Sequence, residues 1–83
     1  MRLIGMAGNV IVPALLELEA LGFDVSIDRS AGREEVKAVR GEETFVAEDP
    51  VAVLGLIKLV ELRGWDWQAG DEVDHVLRRY GLD

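Results

Sequence analysis

The chain of 83 residues contains no cysteine. That absence excludes disulfide staples, thiolate zinc sites and a cysteine nucleophile, and leaves the redox compartment open. Side chains that usually carry acid–base or nucleophilic chemistry are almost as scarce: one His, one Tyr, one Thr and two Ser. Basic residues are few, nine Lys and Arg against sixteen Asp and Glu, for a net charge of -7. A chain of that sign suits phosphate backbones poorly, so nucleic acid is not an expected partner. No window offers the roughly 20 apolar residues that a membrane-spanning helix needs, so no membrane partner is expected either. Internal repeats, low-complexity tracts and linkers long enough to divide domains are all missing. Residues 3–16 behind Met1 and Arg2 faintly echo a secretion signal. Gly5, Gly8 and Asn9 interrupt that stretch, no small-x-small cleavage site follows, and Glu17 and Glu19 end it, so a soluble cytoplasmic protein is expected.

What is present points to one small globular domain. Hydrophobic residues make up 49% and charged residues 30%, the balance of a folded chain rather than a disordered one. A chain this short buries only roughly 60–65% of its unfolded surface, so the core must be thin. One local pattern recurs three times: Leu21-Gly22-Phe23, Arg63-Gly64-Trp65 and Tyr80-Gly81-Leu82. In each, glycine can take the left-handed C-cap and the next apolar side chain can fold back on the last turn. Three such stops predict three helices.

The first helix is expected from about residue 9 or 13 to 21, with Pro13 in its first turn. Ile11, Ala14, Leu15, Leu18 and Leu21 share one arc, which leaves Leu16 outside. The period then changes to two: Phe23, Val25 and Ile27 alternate with Asp24, Ser26 and Asp28, a half-buried strand. A turn over 29–33 leads to a second strand over 35–40, and Gly41-Glu42 links it to a third over 43–48. Glycine first in a two-residue link fits a type II′ hairpin. With Arg40 opposite Glu43, Ala38 faces Phe45 and Val36 faces Ala47, so all four share one side; a one-residue slip destroys that agreement. Asp49-Pro50 opens the second helix as N-cap and first-turn proline. From 51 to 63 it is apolar nearly all round, with Lys58 and Glu61 as a narrow polar stripe. Val53, Leu56, Leu59 and Val60 are assigned to one side and Val51, Leu54 and Leu62 to the other. A third helix begins near Gly70 or Asp71 and carries a thin buried stripe of Val73, Val76, Leu77 and Tyr80. The expected fold is therefore α+β, in the order α-β-β-β-α-α, with a three-stranded antiparallel meander and helices on one face.

The core order α-β-β-β-α resembles that of the double-stranded-RNA-binding domain. The resemblance stops at element order: that family presents lysines where this chain has Glu48-Asp49-Pro50. The runs over 8–27 and 47–67 also resemble small bacterial proteins of unassigned function, a likeness that implies no activity and no site.

Candidate chemistry is sparse. His75 lies between Asp71 and Arg79 at helical spacing, and Asp71, Asp74 and His75 are the one set that could serve a metal-binding or enzyme-accessory role. Solvent exposure beside a favourable carboxylate is the simpler account of His75. The acidic run from Asp66 to Asp74 lacks the alternation of a calcium loop, because Gln68 and Gly70 interrupt it. Gly5-Met6-Ala7-Gly8 lacks the spacing and lysine of a phosphate-binding loop. No catalytic residue, metal site or cofactor is therefore expected. The surplus apolar surface of the second helix points instead to a non-catalytic module that contacts another protein or a second copy of itself. Leu54, Leu62 and Trp67 are the candidate contact residues, and a homodimer through the second helix or the linker 65–67 is one form of it. An acidic protein that neutralises a basic toxin is an alternative.

Overall fold

The computed structural model of the chain describes residues 1–83, the side chain of Ala31 excepted. A short 3-10 turn, Gly8–Val10, leads into helix α1, Ile11–Ala20. Strands β1 (Asp24–Asp28), β2 (Glu35–Arg40) and β3 (Glu43–Ala47) follow, then helices α2 (Pro50–Arg63) and α3 (Val73–Arg79). The three strands form one antiparallel sheet in the order β1-β2-β3. The chain is thus an α+β fold of the expected order, with α1 and α2 packed on each other and on the sheet. Among the described residues, no helix is long and apolar enough to cross a membrane.

Hairpin register follows from the link. Arg40 pairs with Glu43, Ala38 with Phe45 and Val36 with Ala47, as the alternation requires. Gly41 takes φ 60°, a conformation that costs a side chain heavily and glycine little. Across the other ladder Val25 opposes Ala38 and Ile27 opposes Val36. Val36, Ala38, Phe45 and Phe23 are buried with Leu18, Val53 and Ile57 in a single core cluster. Ile27 departs from the expected inward set, being 42% exposed. β1 is an edge strand with a neighbour on one side only, so side chains near its end lack lateral cover.

The helix ends are built in two ways. At α1 the Gly22 N–H donates to the Glu19 carbonyl at 2.9 Å and the Phe23 N–H to the Leu18 carbonyl at 3.1 Å. That is the Schellman pattern, and Phe23 then enters the core beside Leu18. The end of α3 repeats it, with Leu82 N–H on the Leu77 carbonyl at 2.8 Å. At α2 only the Gly64 N–H reaches back, to the Val60 carbonyl, and the chain leaves extended with ψ -177°. Trp65 consequently does not fold onto the last turn of α2. It stacks on Phe45, ring centroids 5.5 Å apart.

Asp49 opens α2 as expected, its Oδ1 accepting from the Ala52 N–H at 2.7 Å, with Pro50 in the first turn. Val53 and Ile57 are the buried residues of the helix interior, flanked by half-buried Leu54 and Val60. The inward arc is thus centred about a fifth of a turn from the middle of the side that groups Val53, Leu56, Leu59 and Val60, which brings Ile57 into the core and leaves Leu56 exposed. α1 buries Ala14 and Leu18, while Leu16 and the terminal Leu21 are exposed. α3 is shorter than expected, and none of its seven residues is buried; Val76 and Leu77 are half-buried, Val73 and Tyr80 exposed. Two turns carrying so few aliphatic side chains have little apolar area to gain by docking.

Truncation of the core ring is the direct check. Phe45→Ala should cost roughly 3–5 kcal/mol, a large part of the approximately 5 kcal/mol available to so small a domain. Asp49→Ala should cost about 1 kcal/mol through loss of the cap. Urea melts read both, and equal midpoints for the two variants would contradict this burial scheme.

Candidate protein-interaction surface

An α-helix turns once in 3.6 residues, so a helix docked through one arc presents the opposite arc outward. In α2 the inward arc is Val53 and Ile57. On the far side lie Ala52, Gly55, Leu59 and Leu62, and Leu56 stands at the border of that stripe, on the same side as Arg63. Leu62 is 73% exposed and Leu56 37%, while Leu59 is half-buried. A Cβ built on Gly55 meets nothing within 4 Å, so the space over this part of the helix is open. Lys58 and Glu61 fall to one side of the stripe, toward Leu54, and Arg63 borders it near the C-terminus.

Of the expected contact residues, Leu62 belongs to this stripe. Leu54 turns toward the core cluster and lines a separate apolar groove of about 850 Å³ with Leu3, Ile4, Met6, Val10 and Val51. Trp67 is exposed on the linker after α2, where its carbonyl accepts from Arg63 Nε at 2.8 Å. The three residues therefore do not share one face. Sequence reasoning missed the stripe itself. The available signal was the spacing of Ala52, Gly55, Leu59 and Leu62, separated by three, four and three residues.

Asp71, Asp74 and His75 are all exposed. Among the described residues no group of three His, Cys, Asp or Glu side chains is placed to share a metal ion. No polar or charged side chain among them is buried, so none is desolvated in the way that usually tunes an acid, base or nucleophile. The backbone N–H of Ser30 donates to Asp28 Oδ1 at 3.0 Å. A second cleft, about 710 Å³ and open to solvent, runs along the strand ends and is lined by Asp28, Glu34, Glu35 and Glu48 together with Arg33. Arg29 pairs with Glu34 at 3.2 Å on its rim.

Comparison of the chain with family models, curated proteins and solved structures gave no match.

His75→Ala should leave the urea midpoint unchanged, within about 0.5 kcal/mol, as expected for an exposed helical side chain. A loss above 2 kcal/mol would show that the imidazole has a structural partner.

Proposed function

We propose that this chain is a non-catalytic protein-interaction module whose contact surface is the outward stripe of α2. The observation that carries the reading is an apolar arc, exposed Leu62 and half-buried Leu59 with Ala52 and Gly55 and with Leu56 at its border, lying on the far side of the helix from the buried Val53 and Ile57. Leucines repeated on the solvent side of a helix lower solubility with no gain to the core of the same chain, whereas burial against a partner returns about 25 cal/mol per Å². The poverty of nucleophiles and bases and the absence of any buried polar side chain among the described residues support the non-catalytic part of the reading.

A second reading is favoured by the cleft of Asp28, Glu34, Glu35 and Glu48 together with net charge -7. It is a basic protein partner, as in an immunity-like protein that neutralises a toxin. Charge of that kind sets association rate more than final affinity.

The test is the double variant Leu59→Glu with Leu62→Glu, studied at submicromolar concentration so that self-association does not enter the melt. Its urea midpoint should stay within about 1 kcal/mol of the parent, because an outward stripe contributes little to folding. Binding of a hydrophobic dye such as anilinonaphthalene sulfonate should fall. A loss of more than about 2 kcal/mol would mean that the stripe is covered within one chain, and the reading would fail.

A further inference from the structure

We infer that the partner of the α2 stripe is a second copy of this chain, bound with the two α2 helices antiparallel about a twofold axis near Ile57. This inference rests on the interaction-module reading above and adds the identity and geometry of the partner. The stripe is graded along the helix: its N-terminal half offers the small residues Ala52 and Gly55, and its C-terminal half the large residues Leu59 and Leu62. An antiparallel pair related by a twofold axis places residue 52 opposite residue 62 and residue 55 opposite residue 59. Leu59 and Leu62 of one copy then meet Gly55 and Ala52 of the other, large against small along the centre of the stripe, while Leu56 lies at its border beside Lys58 of the other copy. A parallel pair would set glycine against glycine and leucine against leucine, leaving a gap at one end and crowding at the other.

Gly55 is the centre of this fit. Open space over its Cα lets the partner's Leu59 approach the helix backbone, as small residues do wherever two helices pack closely, at about 8 Å between axes. The separation of the four residues by three, four and three positions is the spacing that keeps a seam facing its mate along two helices. An isologous contact needs a self-complementary patch, and this gradation supplies one.

Charge agrees with the geometry. The chain carries sixteen Asp and Glu, yet none lies in the stripe, so its apposition brings no carboxylate against another. The antiparallel arrangement sets Arg63 of each copy beside residue 51 of the other, next to the Glu48 and Asp49 that precede α2. The same arrangement opposes the dipoles of the two helices, so unlike ends meet.

Sedimentation equilibrium and thiol cross-linking test this, the latter aided by the absence of native cysteine. At high micromolar concentration in moderate salt the chain should sediment at twice 9.1 kDa. Gly55→Glu should raise the dissociation constant at least about tenfold. It should not lower the urea midpoint at submicromolar concentration, since its Cβ enters open space. Ala52→Cys mixed with Leu62→Cys should give a covalent dimer with a short bismaleimide in higher yield than either variant alone. A 9.1 kDa species throughout, a dimer indifferent to Gly55→Glu, or single variants that cross-link to themselves as well as the mixture would each overturn the inference. A monomer that still loses dye binding on Leu59→Glu and Leu62→Glu, with an unchanged melt, would discard the second copy yet keep the module. A monomer destabilised by those changes would end both.

Discussion

Phe45 joins the ends of two helices to the sheet of this small domain, within the core that Leu18, Val36, Val53 and Ile57 complete. Its ring meets Phe23 edge to face at 5.8 Å and Trp65 in a stack at 5.5 Å. Ala38 stands opposite it on β2, and so small a side chain there leaves the ring room to lie over the sheet. Phe23 belongs to the end of α1, Phe45 to the edge strand β3 and Trp65 to the exit of α2, so three junctions converge on one aromatic column. Arg40 closes its far end. The guanidinium lies 4.3 Å over the Phe23 ring, donates to the Leu21 carbonyl at 2.8 Å and pairs with Glu43 at 3.0 Å. One side chain thus ties a helix end, a hairpin and an aromatic ring. Although Trp65 is 57% exposed, its ring helps keep Phe45 out of solvent.

That column dictates what the helices can cover. A three-stranded sheet offers one apolar face, and the end of α1 is tied to it through Phe23 while α2 occupies the space beside it. α2 therefore buries only the arc through Val53 and Ile57, and no further layer lies over its outer side. α3 supplies none: after Gly64 the chain leaves extended, and the linker through Trp67 is held to α2 by Arg63. The outward stripe is a consequence of the economy of the fold, and its gradation from small to large residues is a property of the sequence laid upon it.

The sheet was readable because two independent constraints agreed. Strand alternation fixes facing to one of two choices, and the Gly41-Glu42 link fixes register, so together they place Val36, Ala38, Phe45 and Ala47 on one side. Glycine stops were readable for the same kind of reason, since few residues tolerate the required φ. The inward arc of α2 was not readable. In a helix apolar on nearly every side the periodic signal loses contrast, and the axis through Val53 and Ile57 is set by Phe23, Phe45 and Leu18 from distant parts of the chain. Trp65 was misplaced because the sequence pattern of its glycine stop matches the other two, while the backbone beyond it does not turn back. Ile27 has the right parity and the wrong neighbourhood, an edge. The proposed contact surface divides similarly: Leu62 is legible from hydrophobic excess alone, whereas Ala52 and Gly55 enter the proposal through being small, which a search for large apolar side chains overlooks.

Charge and apolar surface act on one another in this chain. Sixteen carboxylates spread over the surface give each copy a long-range repulsion that salt reduces within a Debye length of about 8 Å at physiological ionic strength. The stripe on α2 is free of them, so repulsion falls on every other approach more heavily than on this one. In the proposed pairing, attraction over the stripe is short-ranged and is not weakened by charge screening, being the removal of leucine surface from water. A surface that repels broadly and attracts narrowly selects an orientation without needing a hydrogen-bond pattern, which is the form of specificity open to a domain with no buried polar group among its described residues. Acidity, which argues against nucleic acid, would in the proposed pairing also confine association to α2.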